Sequence, residues 1–343
     1  MSNDRQKVTI SGLGSFLPGN PIENRYLSQT FNINEEWINY FIGNRRRHLA
    51  INLENHEVTY TLAEMCTNAA KRAIQNSDYL LKDIEFIVMA TATPDHLIPS
   101  TINLVADKLG INFIPTYQLQ SGCTGAIQAL EIAQQFLLSN NYQVGLVIGG
   151  DVCNKYMHMN RDFSQMSSKE LMNYVLFADG AGAAVLTSEK QASGLVIESI
   201  LNQLTGLNIE PGQIINCYSD SINSFYRPQA ITEDYKKIEK KVPIMSKEIL
   251  YQLSEKMQWD LDSIDYIMPP QLSENMTQHI IKIMDFPKQK AINCISETGN
   301  NGNALSFLQL QLLDPLMQKG QKALGVAVES SKWIKSGLAL SRT

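Results

Sequence analysis

In the run Gln120-Ser121-Gly122-Cys123-Thr124-Gly125, a strand-like segment, Thr116-Tyr117-Gln118-Leu119, turns into an apolar helical pattern from Ala126 to Leu138. A thiol on so sharp a turn projects at the start of the helix. Unpaired amides and the positive end of the helix dipole stabilise a thiolate there. The same amides offer a hydrogen bond to the oxyanion formed when a thiolate attacks a thioester. Gly122 and Gly125 permit the tight turn and a close substrate approach. The other cysteines, Cys66, Cys153, Cys217 and Cys294, are scattered, with no paired metal-type spacing. They read as packing thiols in a reduced, cytoplasmic compartment. The chemistry this points to is capture of an acyl group by Cys123 and its transfer onward.

The elements that position Cys123 occur twice. Val8-Thr9-Ile10-Ser11-Gly12-Leu13-Gly14 opens the first half and Gly194-Leu195-Val196-Ile197-Glu198-Ser199-Ile200 the second. Asp83 to Ala90 reads as a buried strand before a helix near 99–109; Ser263 to Pro270 is its counterpart, before a helix near 273–284. The Cys123 elbow corresponds to Ala291-Ile292-Asn293-Cys294 leading through Gly299-Asn300-Asn301-Gly302 into a helix from Asn303 to Leu313. Buried strands at Val144 to Ile148 and Ala323 to Ala327 follow the two helices. Short apolar strands alternating with amphipathic helices are α/β units. The expectation is two similar halves, 1–190 carrying Cys123 and 191–343 carrying Asn300, related by a pseudo-twofold axis. The loops at 91–98, 121–125, 270–275 and 298–302 then meet on that axis, bringing Cys123 and Asn300 to one point.

Composition narrows the function. A chain of 343 residues with 44% hydrophobic and 18% charged residues suits a protein with a large core. A net charge of −5 and a pI of about 5.6 give no support to nucleic-acid binding. The polar start Met1-Ser2-Asn3-Asp4-Arg5 is unlike a signal peptide, and no apolar run is long enough to span a membrane. No cofactor or metal is expected.

Four segments together resemble the β-ketoacyl-acyl-carrier-protein synthase III branch of the thiolase-fold condensing enzymes: Glu35-Glu36-Trp37-Ile38 with Gly43-Asn44-Arg45-Arg46-Arg47, the Cys123 elbow, Phe177-Ala178-Asp179-Gly180-Ala181-Gly182-Ala183, and Gly299-Asn300. The resemblance runs over nearly the whole chain. It implies an α/β thiolase fold, a duplicated αβαβα layered sandwich that usually dimerises. It implies Cys123 and Asn300 as catalytic residues, and Trp37, Gly122, Thr124 and Gly299 as substrate-binding ones. Its members load an acyl group from a carrier-protein or coenzyme A thioester and pass it to a second substrate.

The chain also departs from that pattern. The stretch in which the family carries a His reads Pro269-Pro270-Gln271-Leu272-Ser273. The family's coenzyme A cations are replaced by Phe41, Leu171 and Asn275. Its glycine-rich turn before the last strand reads Glu329-Ser330-Ser331-Lys332-Trp333. Losing one preorganised donor typically costs about 10²–10³ in rate, which argues against decarboxylative condensation and for plain acyl transfer to a small-molecule acceptor. His279 and Glu297 are the candidate replacement bases. An acyl carrier protein is the expected donor, guided by Arg45, Arg46 and Arg47, in fatty-acyl or specialised-metabolite assembly. Met157, Met159 and Met166 read as core filling or tunnel lining, and Asp179 as a turn residue. A decarboxylative condensing enzyme, and a non-catalytic partner subunit of a heterodimer, stand as alternatives.

Overall fold

The computed structural model describes residues 6–156, 162–216 and 231–343. Met157, Met159 and Cys217 lie outside the described residues. In chain order the elements that build the site are β1 (Val8–Phe16), α1 (Glu35–Phe41), α2 (Leu62–Gln75), β2 (Phe86–Thr91), α3 (Thr101–Leu109), β3 (Thr116–Gln120), α4 (Gly125–Leu138), β4 (Val144–Val152), α5 (Ser168–Leu176) and β5 (Asp179–Thr187). The chain continues through β6 (Leu195–Leu204), a small hairpin of β7 (Gln213–Ile215) and β8 (Ile231–Glu233), and α6 (Tyr235–Met257). It ends with β9 (Tyr266–Met268), α7 (Glu274–Met284), α8 (Leu305–Leu313), β10 (Lys322–Glu329) and β11 (Ile334–Arg342).

Nine strands hydrogen-bond in the order β9-β10-β11-β6-β1-β5-β4-β2-β3, which reads the same from either end apart from one missing strand. The centre of that palindrome is a short antiparallel contact in which Val8, Thr9 and Ile10 face Ile197, Val196 and Leu195. Helices α2 and α3 cover the outer face of one wing through Ala69, Ala73, Val105 and Leu109. Helices α6 and α7 cover the other through Ile249, Leu253, Ile280 and Met284. Between the wings run α4 and α8, whose Ala126, Leu130, Ala133, Phe307 and Leu310 join strands of both into one core. This is the αβαβα sandwich. A helix walled by sheet on two sides is buried nearly all round, as α8 is at seven of its nine residues, whereas α4 keeps Gln128, Glu131 and Gln135 along one face. Strand β2, buried at every position and paired in parallel with β3 and β4, reads for the same reason as an unbroken apolar run.

The missing ninth-strand mate is 291–294. Ala291 makes only an isolated bridge to Ile267. The chain then turns at once into a one-turn helix, Ile295–Thr298, whose Ile295 amide donates to Asn293 Oδ1. The second half thus reaches Asn300 through a helical turn where the first reaches Cys123 directly from a strand. The resemblance of the halves survives this difference because the flanking strands and helices keep their places.

Candidate active site

The Cys123 elbow is held from three sides. From below, Asn303 Nδ2 donates to the Ser121 carbonyl at 3.0 Å and to Asp151 Oδ2 at 2.9 Å. Asp151, buried at the end of β4, also accepts from the Thr91 and Thr93 hydroxyls and from the amides of Ala92 and Asn303, at 2.7–3.0 Å. Gly302, at φ +54°, lets Asp151 approach, since a Cβ there would sit 2.2 Å from its Oδ2. From above, Glu329 at the end of β10 accepts from Thr124 Oγ1 at 2.8 Å and Ser121 Oγ at 3.2 Å. From the side, Gln128 Nε2, one turn into α4, donates to those same two hydroxyl oxygens at 2.8 and 3.1 Å.

Asn300 is placed as firmly. Its backbone bridges to the segment after α5: the Asn300 amide donates to the Leu176 carbonyl at 3.0 Å, and the Ala178 amide to the Asn300 carbonyl at 2.9 Å. Its side-chain oxygen accepts from the Gly302 amide at 3.2 Å, and its Nδ2 donates to the Leu272 carbonyl at 3.3 Å. One side-chain N–H remains to serve a ligand. Gly299 precedes it at φ +69°.

Cys123 and Asn300 line one cavity of about 370 Å³. Its walls come from α5 (Met172, Leu176), α6 (Ile238, Val242) and α7 (Met276, His279), with Phe41 near the entrance. A smaller hollow of about 40 Å³ lies behind Cys123, between Ala92, Cys153, Ile215 and Ile231. Cys123 belongs to both spaces, so a group bonded to its sulfur can occupy either. Both linings are mainly apolar, and their acidic members are Glu233 and Glu239 in the larger space and Asp151 in the smaller. Among the described residues no Lys or Arg lines either one. Glu233 itself accepts from Gln213 Nε2 at 2.5 Å and from the Tyr235 hydroxyl. Burial pushes its carboxyl above the ordinary range.

The thiolate expected from the helix N-terminus is not what this setting favours. Burial, then the charges of Glu329 and Asp151, push the Cys123 thiol up to about 12. A negative group beside a buried thiol penalises the anion. At neutral pH Cys123 is therefore held as the thiol.

The remaining sequence candidates divide. His279 lies on the cavity wall with an exposed side chain, the one imidazole lining that space among the described residues. Glu297 does not face the cavity: it is ion-paired with Arg45 and, at 3.5 Å, with Arg46 on the surface. Thr124 is fully buried and its hydroxyl is engaged by Glu329 and Gln128. Gly122 lines the smaller hollow and makes room for Glu329, whose Cδ would be 3.0 Å from a Cβ there. Trp37 packs one residue behind the entrance, its ring 6.0 Å from that of Phe41. Asn275, in place of a cation, donates to the Tyr40 carbonyl at 2.7 Å. The basic triplet is split. Arg45 and Arg46 are at the surface, whereas Arg47 is completely buried and donates to the carbonyls of Ile22 and Val175. Burial lowers its guanidinium to about 10. Arg47 braces the fold and is not available as a surface guide. Asp179, expected in a turn, instead opens β5 opposite Val152, and its carboxylate accepts from the Ala50 and Asn154 amides at 2.6 and 3.1 Å. Met166 packs partly buried beside Phe163 and Tyr174.

Two residues at the site were not singled out by sequence. Glu233 arrives on a hairpin with no counterpart in the first half. Glu329 carried a signal that went unused: an acidic side chain closing the apolar run Val326-Ala327-Val328, where burial demands partners.

A duplicated sandwich whose two polar loops meet at one cavity is the architecture of the thiolase-fold condensing enzymes. A sequence profile of 3-oxoacyl-[acyl-carrier-protein] synthase III matches residues 117–203. Beta-ketoacyl-[acyl-carrier-protein] synthase III of Clostridium kluyveri is 30% identical over 326 residues, covering 93% of this chain and 94% of the relative. That of Neisseria gonorrhoeae is 32% identical with the same coverage. Among solved structures, AbyA1, a tetronic acid condensing enzyme, is 41% identical with a TM-score of 0.94, over 97% of this chain and 99% of that one. The Aquifex aeolicus synthase III, at 24% identity and a TM-score of 0.82 over 97% and 99%, shares the fold. The chain belongs to the β-ketoacyl-[acyl-carrier-protein] synthase III family, condensing enzymes that act on acyl thioesters in biosynthesis. That membership favours carbon–carbon bond formation over the plain acyl transfer expected from Pro270. Among the described residues no helix is long and apolar enough to cross a membrane.

Proposed function

We propose that this protein is a Cys-dependent condensing enzyme whose second substrate is a carbon acid flanked by two carbonyls, not a malonyl group that must lose carbon dioxide. The observation that carries the reading is the shared cavity. It brings Cys123 and Asn300 to one space, and among the described residues its mainly apolar lining includes Glu233 and Glu239 but no Lys or Arg. A malonyl carboxylate would enter such a space against like charge. A carbon between two carbonyls is already acidic and has less need of the enolate stabilisation that a His at position 270 would supply.

In the first step the Cys123 sulfur bonds to the acyl carbon of a thioester and the donor's thiolate leaves with the cysteine's proton. The Cys123 amide faces the transient oxyanion. In the second step the carbon acid loses its proton and attacks the Cys123 thioester. Asn300 Nδ2 donates to the enolate oxygen, His279 accepts the carbon's proton, and as the sulfur–carbon bond breaks that proton is returned from His279 to the sulfur, so that Cys123 leaves as a thiol. The hollow behind Cys123 holds about 40 Å³, room for roughly three water-sized probes, which supports a short donor acyl group.

Similarity to a tetronic acid condensing enzyme supports the same substrate chemistry. A tetronic acid is a five-membered lactone containing an enolised 1,3-dicarbonyl. Assembling one by condensation takes a carbon–carbon bond from a dicarbonyl carbon and an ester bond from a hydroxyl. A 2-hydroxyacyl donor and a β-ketoacyl thioester acceptor meet both needs, and an acyl carrier protein is the natural bearer of each.

Intact-mass measurement with short-chain acyl thioesters of pantetheine and of carrier protein tests the first step. The reading requires an adduct on Cys123 that is absent from Cys123→Ala. Adding a β-ketoacyl thioester must then discharge the adduct into a carbon–carbon product with no carbon dioxide released. If no donor forms an adduct, the protein is a non-catalytic partner subunit.

A further inference from the structure

Glu329 is buried next to the cysteine elbow, and among the described residues its hydrogen bonds come from side-chain hydroxyls and not from Lys or Arg. Its carboxylate is held by neutral donors alone: the hydroxyls of Thr124 at 2.8 Å, Ser121 at 3.2 Å and Ser331. Gln128 fixes the direction of this network. Its amide donates to the Ser121 and Thr124 oxygens, so both hydroxyl protons turn toward Glu329. The residues bound flank Cys123 on either side, and Gly122 is the gap through which the carboxylate reaches the turn.

The support behind Glu329 is stiff. Trp333, wholly buried at φ +62°, anchors the turn after β10: its Nε1 donates to the Glu210 carbonyl at 2.8 Å, and its carbonyl accepts from Thr205. Gly212 packs against the indole, where a Cβ would lie 2.7 Å from the ring. A buried, unpaired carboxylate is costly unless hydrogen-bonded, and beside a thiol that must react it raises the barrier to the free thiolate. An elbow needing only mechanical support would be served by a neutral acceptor.

We propose that Glu329 is the base that takes the Cys123 proton as the thioester is attacked. The proton passes from Sγ to the Glu329 carboxylate as the sulfur–carbon bond forms. The resulting carboxylic acid then protonates the donor thiolate as the carbon–sulfur bond of the donor breaks. Glu329 is restored and no further reactant is consumed. The charged groups around this exchange are Glu329, Asp151 and Glu233, all carboxylates. This inference rests on acylation at Cys123 and deepens it by dividing the labour: Glu329 serves the acyl loading, His279 the later carbon acid.

Two rates measured on the whole protein test it. The first is alkylation by iodoacetamide, which follows the free thiolate and rises about tenfold per pH unit from pH 6 to 9 for a thiol this far above neutrality. The second is acylation by acetyl-pantetheine, which stays nearly flat over that range because the proton passes to Glu329 as the sulfur–carbon bond forms and no free thiolate is needed. In Glu329→Gln the two move in opposite directions. Alkylation at pH 8 becomes at least about tenfold faster as the neighbouring charge is lost, while acylation falls by about 10²–10⁴. Acylation that climbs tenfold per pH unit in the wild type overturns the proposal, and needs no variant to be folded. So does a Glu329→Gln protein that acylates at the wild-type rate. Absence of any acyl adduct in the wild type, with alkylation intact, instead removes the proposed function and this inference with it.

Discussion

Gly299→Ala separates the two halves of the site. Gly299 combines φ +69° with ψ 177°, a region occupied almost only by glycine and costing other residues about 1–3 kcal/mol. An added Cβ would also lie 2.7 Å from the Ala178 Cβ and 2.9 Å from the Arg47 Cβ. Neither neighbour is the end of a flexible chain, and overpacking of this kind costs about 1–3 kcal/mol more. The sum is about 2–6 kcal/mol. With an unfolding entropy near 2.1 cal/mol/K per residue, a chain of this length loses roughly 3–8 °C in Tm. The strain falls on the bonds joining Asn300 to Leu176 and Ala178, while the elbow is held by other residues. Scanning calorimetry should therefore show the lower Tm. Intact-mass kinetics should show Cys123 acylation within a few-fold of wild type, with condensation reduced far more. An unchanged Tm refutes the steric argument, and equal loss in both steps refutes the separation.

Three further outcomes follow from the geometry. Asn300→Ala should still accumulate the Cys123 acyl adduct yet discharge it about 10²–10³-fold more slowly, as for loss of one preorganised donor; chase experiments with a β-ketoacyl thioester read this directly. His279→Ala should leave loading untouched and slow the chase by about 10²–10⁴; a chase at the wild-type rate removes His279 from the second step. Arg47→Met should lower stability by about 1–3 kcal/mol through its two lost charged hydrogen bonds without altering acylation by carrier thioesters, because its guanidinium lies inside the protein; a selective loss of carrier-dependent rate would contradict this.

What could be read in advance followed from local pattern. The alternation of short apolar runs with helical periodicity, written twice, was enough for the α/β sandwich. The turn chemistry around Cys123 and Gly299-Asn300 placed the two loops that meet in the cavity. The misreadings share one cause, burial decided by distant chain. Arg47 sits in a charged run that looks solvated, but it is buried and donates to the carbonyl of Val175, more than a hundred residues away. Cys123 lies before a helix that should favour a thiolate, yet burial, and after it the carboxylates of β10, β4 and β8, reverse the sign. Glu297 is three residues before Asn300, and the one-turn helix between them points it outward to Arg45. Local sequence carries helix ends and turns, not the charges that the other half of the chain delivers.

The order in which these groups leave the ribosome has its own consequence. Cys123 is synthesised long before Asn303, which bonds the carbonyl of its elbow, and before Glu329, which caps it. A nascent chain that ends after Cys123 but before Asn303 carries the thiol and neither of these clamps. The reactive centre is completed only when the last strands, β10 and β11, dock at the far wing of the sheet. On the mechanism proposed above, a half-made or truncated chain consumes no acyl thioester.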